Sequence, residues 1–246
     1  MKIAIVSDIH SNLEAFDAVL TDISRRGVSR IVFLGDIVGY GPDPKECLSL
    51  SRIFDFMILG NHDDAILYNS TETFNPRAKT AIEWTQQVLL KDIDFVNHIK
   101  RNFIDHKMED GILYCHGSPR DFTREYVFPD TGLDPEKVRE VFDPLEWVAF
   151  VGHTHHPGVL TPEGDFYYPE ELDFYFRLGR KKCILNVGSV GQPRDGDPRA
   201  CYATFDVDKG LVEWHRIEYN LVKTQKKIYD TRVLDPFLAK RLEAGK

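Results

Sequence analysis

Five short polar groups recur through the first two-thirds of the chain: Asp8-x-His10, Gly35-Asp36, Gly60-Asn61-His62-Asp63, His116-Gly117 and Gly152-His153-x-His155. Each follows an apolar run. Carboxylate oxygens mixed with several imidazole nitrogens suit a divalent first-row ion such as Mn, Fe, Co, Ni or Zn. Two or three acids with four or five histidines exceed what one ion needs, but they would furnish two ions that share a ligand. The adjoining glycines allow sharp turns and close approach of a metal and a substrate. Taken singly, an Asp at a strand end could cap a helix or pair with a cation, and a lone His is usually a satisfied polar residue. Recurrence after successive apolar runs points to metal chemistry.

The elements that must carry these groups are legible as buried strands. Ile31–Leu34 is a continuous apolar run of the kind buried on both faces of a sheet, broken by Gly35 so that Asp36 emerges at its end. Open α/β sheets place ligands at such ends. Ile3–Ser7 runs into Asp8 and His10, whose i, i+2 spacing on an extended chain would point them the same way. Between these strands Asn12 is placed to cap a helix bearing Leu13, Phe16, Val19, Leu20 and Ile23, which Gly27 stops. A βαβ unit and a parallel pair follow. Phe54–Leu59 is a third strand, and Asn75-Pro76 opens a helix to about Leu90. Phe103–Lys107 and Ile112–Cys115 read as a hairpin joined by Glu109-Asp110-Gly111. Trp147–Val151 is another buried strand, and the chain after Gly158 is β-rich, with a polar, partly helical tail from about 220 to 246. The reading is one α/β domain over 1–246, with two stacked sheets flanked by helices and a variable β-rich insertion at about 158–180.

Totals narrow the function. The 246 residues carry 31 Lys and Arg against 39 Asp and Glu, a net charge of −8. That argues against duplex nucleic acid, which requires a basic surface. No stretch suits a signal peptide or a membrane span. The four cysteines have no paired spacing and read as reduced, buried residues. A cytoplasmic protein is expected.

In this order and spacing the five groups resemble the calcineurin-like metallophosphoesterases, whose pattern is D-x-H, G-D, G-N-H-D/E, H-G and G-H-x-H. The resemblance implies a four-layer α/β/β/α sandwich of two mixed sheets. It also implies two divalent ions, with Mn the family-level expectation and Fe, Zn, Co or Ni compatible. By this resemblance Asp8, His10 and His155 hold the first ion, Asn61, His116 and His153 the second, and Asp36 bridges them. A hydroxide shared by the ions would attack phosphorus in line, with His62 as general acid and Asp63 orienting its imidazole.

The second half suggests how a substrate is held. Asn186-Val-Gly-Ser189-Val-Gly-Gln-Pro-Arg194 resembles the stretch after the metal groups in the bacterial and archaeal phosphodiesterase branch, near diadenosine tetraphosphatase-like proteins. Asn186, Ser189 and Arg194 are candidate substrate contacts, as is Arg120. Residues 165–179, rich in Tyr and Phe, are candidates for covering the site or for an oligomer contact. After Asp36 the chain reads Ile37-Val-Gly-Tyr-Gly41 and lacks the V-D-R-G arginine of the protein serine/threonine phosphatases. A small phosphodiester or nucleotide is therefore the expected substrate. The alternatives are a phosphomonoesterase or protein phosphatase, and a non-catalytic binding module on the same scaffold.

Overall fold

The computed structural model describes residues 1–246. The first half alternates strand and helix: β1 (Lys2–Val6), α1 (Leu13–Ile23), β2 (Arg30–Phe33), α2 (Pro44–Leu50) and β3 (Phe56–Ile58). Three helices follow, α3 (Asn61–Tyr68), α4 (Pro76–Leu89) and α5 (Ile93–Asn102). Next come β4 (Phe103–Ile104), β5 (His106–Glu109), β6 (Ile112–Cys115), α6 (Pro135–Phe142) and β7 (Val148–Val151). The remaining strands are β8 (Gly158–Leu160), β9 (Phe166–Tyr167), β10 (Tyr175–Arg177), β11 (Cys183–Asn186), β12 (Ala200–Asp206) and β13 (Leu211–Ile217). Helices α7 (Leu221–Thr231) and α8 (Pro236–Ala244) end the chain.

Two mixed sheets result. The seven-stranded sheet has the order β10-β13-β12-β1-β2-β3-β4, and the six-stranded sheet β5-β6-β7-β11-β8-β9. β1, β2, β3 and β4 run parallel, joined by the helical crossovers their spacing predicts. Alternation along each strand assigns faces. Ile3, Ile5 and Val32 enter the core between the sheets with Val148 and Phe150, whereas Ala4, Val6 and Phe33 pack outward on the helices with Phe16 and Leu48. A third cluster seats α6 on the other sheet through Val138, Val141 and Phe142. The layering is thus α/β/β/α, as the sequence resemblance implies. Phe33 stacks on Phe54 at 5.1 Å, and Phe54 on Phe16 at 5.7 Å. Removing such a ring costs about 3–5 kcal/mol.

Two expectations are corrected. The strand read as Phe103–Lys107 is two: β4 extends the larger sheet beside β3, and after Asp105 the chain crosses to pair β5 with β6 in the other. Apolar content marks such a run but not its partners. The tail is not merely polar: Ile228, Leu234, Leu238, Ala239 and Leu242 pack with Tyr40, Ala78 and Ala81, laying α7 and α8 against α4. The aromatic stretch at 165–179 closes a sheet edge. β10 pairs with β13, and Phe174 and Phe176 pack on the core between the sheets.

Candidate metal centre

The polar groups meet where β1, β2, β3, β6 and β7 end. Past the last ladder bonds the loops stay knitted together: Asp8 N donates to Gly35 O at 2.9 Å, His10 N to Asp36 O at 3.0 Å, and Gly191 N to Asp8 O at 2.8 Å. The extended i, i+2 geometry expected for Asp8 and His10 is not what brings them together. Asp8, His10, Asp36, His153 and His155 all have left-handed backbones, with φ of 54°, 48°, 62°, 67° and 62°. Asp and His enter this region more often than most side chains do, though only glycine enters it freely. The helix α3 starts at Asn61, so the third group lies in its first turn and His62 N donates to Asp36 Oδ1 at 2.8 Å. Gly60 is required there, since a β-carbon would collide with Asp36 Oδ1.

The side chains form overlapping donor sets. Asp8, His10 and His155 lie with ligand atoms within 4.8 Å of one another, as do Asp36, His116 and His153, and also His10, Asp36 and His62. Asp36 joins them, its Oδ2 3.7 Å from His10 Nε2 and 3.3 Å from His116 Nε2. Asn61 Oδ1 sits 3.2 Å from His116 Nε2 and completes the second set.

Whether this site fits cations is answered by its tautomers. The Nδ1 atoms of His10, His116 and His155 face the carbonyls of Val38, Leu34 and Gln192 at 3.1, 2.8 and 2.5 Å. Each must donate there, which aims Nε2 inward and leaves it bare whenever the ring is neutral. His153 is reversed, with Nε2 on Arg124 O at 3.0 Å and Nδ1 inward. The bare Nε2 atoms of His10 and His155 are 3.1 Å apart, and buried Asp8 Oδ1, 3.1 Å from His155, has no hydrogen-bond partner. Lone pairs held this close off solvent call for a positive charge between them. The donor set fits a pair of divalent ions. Burial opposes ionisation of Asp8, but His155 and His116 hold its carboxyl well below the usual range, and His116 and His62 do the same for Asp36. Burial also opposes a proton on His116, yet Asp36 raises it to about 9.

Asp63 does not orient His62. It is the third residue of α3, and its carboxylate turns back to accept from the main-chain N–H groups of Asp36, Ile37, Val38 and Gly60 at 2.8–3.3 Å. Burial and Asp36 push its pKa up, and the amides of Gly60 and Asp36 oppose that shift. His62 Nδ1 has no hydrogen-bond partner. Its ring is caged instead by Tyr40, His10 and Phe74 at 4.5, 4.9 and 5.0 Å, and burial lowers its pKa to about 4.

The expected substrate contacts divide. Asn186 is consumed by Gly152 O, Thr154 Oγ1 and Gly188 N, and Ser189 by Asp8 O and Gln192 N. Both hold the loops in place. Arg120 lies outside the cavity beside Asn61 and His153, tied to Glu125 and Glu140. Arg194 stays at the site, 5.8 Å from the Tyr40 ring centroid. Sequence reasoning overlooks Tyr40, Arg124 and Tyr126, which line a cavity of about 280 Å³ with Asn61, Phe74 and His153. Tyr126 stacks on His153 at 3.7 Å. Their one signal is position, directly after the Asp36 and His116 groups.

Comparison with known proteins agrees with this geometry. Residues 1–210 match the calcineurin-like phosphoesterase superfamily domain. An uncharacterized protein of Methanocaldococcus jannaschii is 40% identical over 251 residues, covering 99% of this chain and 98% of its own. The crystal structure of a metallophosphoesterase from Sphaerobacter thermophilus superposes with a TM-score of 0.86 at 35% identity, covering all of both chains. A hypothetical protein of Pyrococcus horikoshii OT3 shares the fold, with a TM-score of 0.80 at 18% identity over 100% of this chain and 98% of its own. Motif order, layering and sequence identity agree, and the chain belongs to the calcineurin-like phosphoesterase superfamily.

Proposed function

We propose that the chain is a dinuclear-metal-dependent phosphoesterase acting on a phosphodiester or a nucleotide phosphoanhydride. The observation that carries this reading is the Asp36 carboxylate, set between His10 and His116 so that two donor sets share one oxygen ligand. Asp8, His10 and His155 would hold one ion and Asn61, His116 and His153 the other, with Asp36 common to both. Bound there, divalent ions supply Lewis acidity toward phosphoryl oxygens and lower the pKa of a coordinated water. Manganese is the ion we expect.

The chain's own residues do the rest. His62 gives a proton to the leaving oxygen. Burial disfavours that proton in the free protein, and an arriving phosphate, like Asp36, favours it. Tyr40 and Phe74 pack around His62 and keep water from it. Arg124, whose guanidinium is tied to Asp64 at 2.5 Å, can turn its remaining N–H groups to phosphoryl oxygens, and Tyr40, Phe74 and Tyr126 give apolar faces that suit an aromatic leaving group or a base. Four buried free cysteines accord with a cytoplasmic setting.

The test is hydrolysis of bis-p-nitrophenyl phosphate against p-nitrophenyl phosphate by metal-stripped protein with manganese restored. Manganese-dependent diester cleavage is expected. A preference for the monoester would reassign the chain as a phosphomonoesterase. Two bound ions with no turnover of either ester would refute catalysis on such substrates and favour a binding role.

A further inference from the structure

The loop between β11 and β12 contains no member of either donor set, yet it supports one of them. Val190 N and Gly191 N donate to Ser7 O and Asp8 O at 3.0 and 2.8 Å, and Gly191 O accepts from Asn12 Nδ2 at 2.9 Å. Gln192 O accepts from Nδ1 of His155 at 2.5 Å and so sets which nitrogen that ring turns inward. A main-chain carbonyl is not aimed by its own side chain; it goes where the loop puts it. Gln192 precedes Pro193, whose ring fixes its own φ and confines the residue before it to extended backbone. The run from Gln192 to Asp195 therefore has little slack, and a shift at Asp195 is felt at the Gln192 carbonyl.

Asp195 is where the loop is tied down. Its Oδ2 pairs with Nη2 of Arg216 on β13, and both side chains are only 3% exposed. Arg216 also approaches Glu170 at 3.5 Å and Asp197 at 3.7 Å. Gly196 N adds a bond to Gly245 O at 2.9 Å on the exposed side of the loop. Stability alone is a poor reason for this arrangement. Burying two charges costs about as much desolvation as their attraction returns, and apolar residues of similar volume often serve as well or better. The balance is worse here, because Arg216 Nε and Nη1 and Asp195 Oδ1 are buried without hydrogen-bond partners. What the pair does offer is direction: a charged fork accepts its carboxylate in few geometries, whereas an apolar contact can slide.

We infer that Arg216 is a positioning residue for the metal centre: paired with Asp195, it holds the loop so that Gln192 O orients the His155 imidazole within the first donor set. The inference rests on the two-ion reading of the site and adds an asymmetry to it. His116 and His153, in the second donor set, turn on Leu34 O and Arg124 O at 2.8 and 3.0 Å, which belong to other segments. Loss of the pair should therefore weaken one ion and spare the other.

The test replaces both partners together, Arg216→Met with Asp195→Leu, so that no buried charge is left alone. Manganese binding is counted by equilibrium dialysis, and the imidazole tautomers of the metal-free protein are read by long-range proton–nitrogen NMR. One of the two ions should bind about 10–100-fold more weakly, the scale for losing the hydrogen bond that orients a ligand, with the other at wild-type affinity. His155 should lose its preference for a proton on Nδ1, while His10, held by Val38 O at 3.1 Å, keeps its own. Both ions at wild-type affinity, or both weakened alike, overturns the inference. If the wild type binds fewer than two ions, the two-ion reading falls and the His155 tautomer decides alone, a lost preference supporting the role of Arg216 and a kept one overturning it. If the double variant does not melt cooperatively, Asp195→Asn, which keeps the volume and removes the charge, is read in the same way.

Discussion

Replacing Asp36 by Asn should release both metal ions together. The substitution is nearly isosteric, and the Asn carbonyl can still accept the His62 N–H that Asp36 Oδ1 takes at 2.8 Å. What changes is one unit of negative charge, placed 3.3 Å from His116 Nε2 and 3.7 Å from His10 Nε2. Unit charges 4 Å apart interact by about 4 kcal/mol at the effective dielectric of a protein site. That equals about 10³-fold in Kd. An ion with two charges raises the figure, and reorganisation and the remaining Asp8 lower it for the first set, so about 10²-fold or more is expected for each ion. The second set has no other carboxylate and should weaken further. Equilibrium dialysis over a manganese series, with metal counted by mass spectrometry and folding checked by circular dichroism, reads both affinities. Retention of either ion at its wild-type affinity would refute the shared-ligand geometry.

Other predictions follow from the same site. His62→Ala should lower turnover by about 10²–10⁴-fold with metal content unchanged, and lost metal would make His62 a ligand, consistent with its place near His10 and Asp36. Asp63→Ala strands four buried N–H groups and should cost about 3 kcal/mol or more, seen as a lower melting temperature; an inactive variant of unchanged stability would restore the imidazole-orienting role. His116 sits above its ordinary 6.5, at about 9, so the metal-free protein holds a proton there that binding must expel. Manganese affinity should therefore rise as pH increases from about 6.5 toward 9, with close to one proton released near pH 7.5, measured by calorimetry in buffers of different ionisation enthalpy. A pH-independent affinity would contradict the assignment.

The strands and the polar groups at their ends are legible because buried parallel strands are apolar runs that stop abruptly, and Ile31–Leu34 before Gly35 is such a run. Residue type also discloses the donor chemistry. Conformation is less accessible: Asp8 and His10 reach the same centre through left-handed turns held by Gly35 O and Asp36 O, bonds between segments far apart in sequence. Asp63 illustrates a competition that sequence leaves open, since a carboxylate three residues into a helix can serve either the neighbouring ring or the amides behind it. Four amides outbid one imidazole. Tyr40, Arg124 and Tyr126 escape notice because nothing local marks an aromatic or basic residue whose role depends on loops from different strands meeting around one cavity.

The left-handed backbones of Asp8, His10, Asp36, His153 and His155 set stability against activity. Each non-glycine residue in that region costs about 1 kcal/mol or more, within a total folding stability of about 5–15 kcal/mol. Glycine would relieve the cost at any of these positions while deleting the ligand, so Asp36→Gly should melt above Asp36→Ala. A selection for thermal stability alone would drift toward such dead variants. The conformations that aim the ligands are thus maintained against the grain of the fold, and thermostabilising design on this scaffold should hold these five positions fixed.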